Sequence, residues 1–143
     1  MSFSQQCERE VLELHQALED WLSGNAANAD ATFARIIDVH ASNFTYVTPE
    51  GEIISHELLF SGLKEAHSIK GKTFQIKIEN LRTVAATDDL CAVTYEEWHS
   101  SPDTLTRRQS TAIFRKKSGN PSDAEWVHIQ ETWLADDRAS ASS

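Results

Sequence analysis

Four stretches between residues 73 and 134 alternate bulky and polar side chains, and turn signals separate each from the next. A two-residue period is what a strand imposes, because its successive side chains point to opposite faces, so this half of the chain reads as an antiparallel meander. The first stretch, 73–85, sets Phe74, Ile76 and Ile78 against Gln75, Lys77 and Glu79, until Asn80 shifts the phase as a bulge would. Asp88 and Asp89 turn it into a strand over 90–100; Pro102 and Asp103 turn that into 106–116; a polar loop over 118–123 leads to the last strand, 126–134. In that last strand the alternation sends Val127, Ile129, Glu131 and Trp133 inward, which puts a carboxylate on an otherwise apolar floor.

The first half has the other period. Cys7, Val11, Leu14, Leu18 and Trp21 or Leu22 recur at steps of three and four, so 4–23 forms a helix, with Ser4 as its cap and Gly24 as its stop. Glu8, Glu13, Glu19 and Asp20 then face water. A second helix is expected over 30–41, capped by Asn28 or Asp30, with Phe33, Ile36, Ile37 and His40 on its buried side. A short hairpin follows, from 44–48 through the Pro49, Glu50 and Gly51 turn to 52–54, and Ser55 caps a third helix that ends near residue 68. Helices preceding a curved antiparallel sheet make an α+β fold, with helices packed in the sheet's concavity.

With 143 residues, the expectation is one domain over 1–143 with ends frayed at 1–3 and 136–143. The 22 acidic and 13 basic residues give a formal charge of -9, which opposes nucleic acid and an anionic membrane as partners. No apolar secretory segment opens the chain, so a cytoplasmic location is expected. Cys7 and Cys91 are expected to be reduced core thiols. The six histidines show no metal-ligand spacing and the five glycines form no phosphate loop, so neither a metal nor a nucleotide cofactor is expected.

The segments Trp21 to Gly24, Phe44 to Gly51, Val93 to Trp98, Arg107 to Ala112 and Glu131 to Leu134, in this order of elements, resemble the nuclear-transport-factor-2-like (NTF2-like) superfamily. Within it they look most like small bacterial proteins of the SnoaL-like and domain-of-unknown-function-4440 (DUF4440) kinds. The resemblance implies a cone-shaped, mostly antiparallel mixed sheet and a homodimer formed through its outer face. It does not carry ketosteroid-isomerase chemistry across. Thr48 stands where that enzyme has its general-base Asp before the turn proline, and its oxyanion-hole Tyr would fall near His15 or Gln16.

Tyr95 and Glu97 on one strand and Glu131 and Trp133 on the last each share a face, so the fold brings them to one cavity. Two carboxylates there repel each other, and one acquires a raised pKa suited to acid or base work. The competing reading is an ion-pair network in which Arg107, Arg108 or Arg115 neutralises these acids across the strands. His40 either points into the cavity or is a hydrogen-bonded core histidine. The reading is thus a protein that binds a small, mainly hydrophobic molecule, lined by Tyr46, Tyr95, Glu97, Glu131 and Trp133. Glu131, Glu97 and His40 are the candidates if it also does isomerase, cyclase or dehydratase chemistry. The alternative is a dimeric assembly module that grips a partner through outer-face residues such as Gln75, Lys77, Thr111, His128, Gln130 and Thr132, anchored by Trp98 or Trp126.

Overall fold

The computed structural model describes residues 1–135; the expected frayed end at 136–143 lies outside the described residues. Helix α1, Phe3–Ser23, starts one residue earlier than expected and is capped by Ser2, not Ser4, because Ser2 and Gln5 cap it reciprocally. The Ser2 side chain accepts from the Gln5 amide at 3.2 Å and the Gln5 side chain accepts from the Ser2 amide at 2.9 Å. Phe3, within the stretch expected to fray, is already helical and buried. Gly24 ends the helix at φ 80°, and a Cβ there would stand 2.6 Å from that of Ser68, so the position admits only glycine.

Helix α2, Asp30–Ile37, stops short of residue 41, and its N-cap is Ala29, with no side-chain cap from Asn28 or Asp30. His40 is not its last turn but the first residue of strand β1, His40–Val47. The reason is non-local: β1 lies parallel to the final strand, and the Trp126 amide donates to the Val39 carbonyl at 2.9 Å. Strand β2, Ile53–Ser55, returns antiparallel to β1, and Ser55 caps α3, His56–Glu65, by accepting from the Leu58 amide. The meander follows as β3 (Gln75–Ala86), β4 (Leu90–Ser101), β5 (Thr104–Lys116) and β6 (Ala124–Trp133). Asn80, at φ 53°, makes the anticipated bulge, where the β3 register skips between Glu79 and Arg82.

The six strands form one mixed sheet in the order β2-β1-β6-β5-β4-β3, antiparallel except for β1 against β6. Helix α1 packs across β3, β4 and β6, so its stripe of Cys7, Val11 and Leu14 meets Val93, Ala112 and Phe114 on the sheet's inner face. Cys7 and Cys91 are buried free thiols in contact with each other. Trp21 locks the other end, its indole donating to the Leu63 carbonyl at 2.8 Å. A second bulge corrects the expected inward set on β6. Phe114 pairs with Trp126 and Ile113 with His128, leaving Val127 out of the ladder, so Trp126 turns inward at 1% exposure. It is thus a core residue and not a surface anchor. Two acids expected in water are also spent inside the fold: Glu19 accepts from the Ile76 amide at 2.8 Å and Glu8 from the Thr83 hydroxyl at 2.7 Å. Among the described residues no helix is long and apolar enough to cross a membrane.

Candidate functional site

Strand pairing creates two rows across the inner face, Glu97–Arg108–Trp133 and Tyr95–Ser110–Glu131, each running β4 to β5 to β6. Three of these residues, Glu97, Arg108 and Glu131, close one end of a cavity of about 240 Å³ whose wall is largely apolar, with Leu14, Leu18, Ile36, Phe44, Phe60 and Leu63. The register of β4 is settled by this arrangement. Glu97 faces in at 5% exposure, while Glu96 and Trp98 face out and bond to each other at 3.2 Å.

Glu97 sits between two imidazoles, His15 Nε2 at 3.0 Å and His99 Nε2 at 2.5 Å. The other nitrogen of His15, Nδ1, lies 2.7 Å from the Val11 carbonyl, which can only accept. Both ring nitrogens therefore face acceptors, and only the imidazolium satisfies both. Burial alone would lower the His15 pKa, but Glu97 outweighs it and holds it above the ordinary value. Burial likewise pushes Glu97 up, and the two histidines overcome it and hold the carboxyl well below the usual range. This is a buried ion pair between α1 and β4.

Glu131 has a different environment. It accepts from the Tyr46 hydroxyl at 2.5 Å, from Ser110 at 3.0 Å and from Arg108 Nη1 at 3.2 Å. Burial and the nearby Glu97 raise its pKa, and Arg108 and Tyr46 only partly offset them. Burial and Glu131 also drive the Tyr46 phenol up, keeping it a neutral donor. The two carboxylates thus split, Glu97 held below the ordinary carboxylate range and Glu131 above it.

Of the residues singled out in the sequence, Tyr46, Glu97, Glu131 and His40 line this cavity, whereas Tyr95 and Trp133 do not. Tyr95 is fully buried behind it, edge-on to His15 at 5.3 Å. Trp133 lies beyond the polar end, 43% exposed, with Arg108 over its ring at 4.7 Å and its indole donating to Glu50 at 3.3 Å. His40 is a neutral ring: burial lowers its pKa to about 3, and Nδ1 donates to the Ile36 carbonyl at 2.8 Å. Sequence reasoning missed His15, although it falls four residues after Val11 on the buried stripe. It also missed Glu10, 0% exposed, which binds Arg35 at 2.9 Å and the Trp126 indole at 2.9 Å. Arg108 pairs with Glu131, as the ion-pair reading had it, but Glu97 is held by His15 and His99, and Arg115 pairs with a different acid, Glu125. Among the described residues no group of three or more metal-ligating side chains is gathered.

The architecture is that of the NTF2-like, cystatin-like fold. An NTF2-like protein of unknown function from Pseudomonas aeruginosa superposes with a TM-score of 0.82 at 23% identity, over 91% of this chain and 99% of that one. The CaMKII hub of S. rosetta superposes at 0.64 and 16% identity, over 88% and 95%. Within this fold the chain belongs to the sucrose-6-phosphate phosphohydrolase C-terminal family, whose model matches residues 7–135. It is 25% identical over 136 residues to sucrose-phosphatase 1 of Nicotiana tabacum, covering 94% of this chain and 32% of the relative. The chain therefore spans about a third of the length of the curated relatives it matches. The finer likeness to SnoaL-like and DUF4440 proteins remains an expectation from the motifs alone.

Proposed function

We propose that the chain binds a small, mainly apolar molecule in its internal cavity and orients it by one polar end. The observation that carries this reading is the cavity itself: about 240 Å³, walled by aliphatic and phenyl side chains, with Tyr46, Glu97, Arg108 and Glu131 converging at one end. Such a wall gains from covering apolar surface, at about 25 cal/mol per Å², and gives nothing to a molecule covered in hydroxyls. The relatives' names offer a phosphorylated sugar as another ligand, but the apolar wall would strip a sugar of hydrogen bonds without replacing them.

A second reading, acid–base turnover of the bound molecule, is supported by Glu131. Its raised pKa, and a phenol bonded to it, are features that acid–base work uses. The outer sheet face is assigned to self-association, an assignment supported by the hub and association domains among the structural neighbours.

A thermal-shift screen of neutral steroids and polyketide-like aromatics tests the reading, since a ligand that prefers the folded state raises Tm. Stabilisation by one class, altered in Glu131→Gln, is the expected result. A flat response across all classes, from protein that is fully folded, sinks it.

A further inference from the structure

Two residues at the polar end of the inner cavity have a second role. His99 and Arg108 line it and also line a second cavity of about 210 Å³ on their far side, together with Lys70, Thr104, Thr106 and Trp133. Among the described residues no carboxylate lines this outer cavity. Its cationic residue nearest the interior is also underused. A guanidinium carries five N–H donors, and Arg108 gives a single hydrogen bond, from Nη1 to Glu131. Its Nε is buried without a partner. A buried donor left unpaired is destabilising, and a ligand acceptor would relieve it.

The local charge balance favours an anion there. Glu97 is neutralised by His15 and Glu131 is paired with Arg108, which leaves the outer cavity with Lys70 and, among the described residues, no carboxylate on its wall. The wider surface cleft of about 640 Å³ near His56 differs in this respect. Its Arg115 and Lys117 are both spent on Glu125, at 2.6 and 3.1 Å.

We propose that the two cavities form one site for an amphipathic organic anion. The apolar body fills the inner cavity, and a terminal carboxylate or phosphate monoester is held by Arg108, with Lys70 and His99 around it and Trp133 as the outer wall. This rests on the inner cavity taking an apolar molecule and specifies its polar end. Arg108 is suited to the task, because a planar fork stacked on an aromatic ring is held ready for two acceptor oxygens.

The test is calorimetric titration of the full chain with octanoate, octyl phosphate, octanol and inorganic phosphate. Either chain-bearing anion is expected to bind about tenfold or more tightly than octanol, a difference of about 1.4 kcal/mol, and which of the two is preferred identifies the head group. Arg108→Gln should erase the preference for the anion. Lys70→Gln, on an exposed side chain that the fold does not need, should reduce it several-fold. Equal binding of octanol and octanoate overturns the anion site and leaves the apolar cavity standing; no binding by any chain-bearing probe overturns both. Inorganic phosphate binding as tightly as octyl phosphate overturns the single-site claim, and so does a preference unchanged in both folded variants.

Discussion

His15 and Glu97 are the pair on which stability should turn most sharply. Glu97→Gln leaves an imidazolium buried without its counter-charge, a class of change that costs about 3–5 kcal/mol. Urea unfolding checks that figure, and a proton NMR titration should show the His15 pKa falling. The pH window follows from the signs. The contribution of His15, whose pKa is raised, is fully present below its ordinary 6.5 and is lost as pH rises through the raised value. The contribution of Glu97, whose pKa is depressed, is present above its ordinary 4.5 and is lost as pH falls through the lowered value. The pair therefore matters most between pH 4.5 and 6.5, where the deficit of Glu97→Gln should be greatest. Glu131 has the opposite sign. Its raised pKa favours the folded state below 4.5, and that advantage is lost as pH rises through the raised value. Unfolding of Glu131→Gln, followed from pH 4 upward, should accordingly show the variant gaining on the parent as pH rises; a constant difference would mean that Glu131 is not perturbed.

At the scale of elements, what the sequence revealed was what local periodicity encodes. The four meander strands were legible because each is ten or more residues long and alternates over most of that length, and Asn80 marked its own bulge by breaking the alternation. His40 was misplaced because Phe33, Ile36, Ile37 and His40 keep helical spacing, while the parallel pairing that draws His40 into β1 joins residues 86 positions apart in the chain, His40 with Trp126. The same distance hid the β6 bulge at Val127, and with it the inward turn of Trp126. That turn has an energetic consequence for α1 and α2. Trp126 and Arg35 are the two partners of the fully buried Glu10, so the acid joins both helices to the sheet. Arg35→Ala should cost about 3–5 kcal/mol by stranding that charge. Trp126→Phe should cost about 1–3 kcal/mol for the lost indole N–H, in addition to any packing defect. Chemical denaturation of the two variants separates these effects; near-neutral Arg35→Ala would show that Glu10 is protonated when the helix docks.

For the whole molecule, the remaining question is what covers the outer face of the sheet. Gln75, Lys77, Thr111, Gln130 and Thr132 do project there, with His128 half-buried and bonded to Thr45 at 2.8 Å, and Ile113 is 38% exposed among them. A face of threonine, glutamine, lysine, histidine and one aliphatic side chain is polar enough to stand in water, and a copy of itself is the partner that the proposed self-association puts there. A CaMKII hub and a CaMKII association domain are among the structures that share this fold. A two-fold contact repeats every residue on both sides, so a charge added near its centre is opposed by its own copy. Thr111→Arg combined with Ile113→Arg should therefore convert a dimer into a monomer in light scattering. The inner face, which carries the cavity, points the other way, so ligand-induced Tm shifts should persist in the dissociated variant. A parent chain that is monomeric at micromolar concentration removes self-association from the reading. A dissociated variant that no longer binds would mean instead that the dimer holds the cavity in shape.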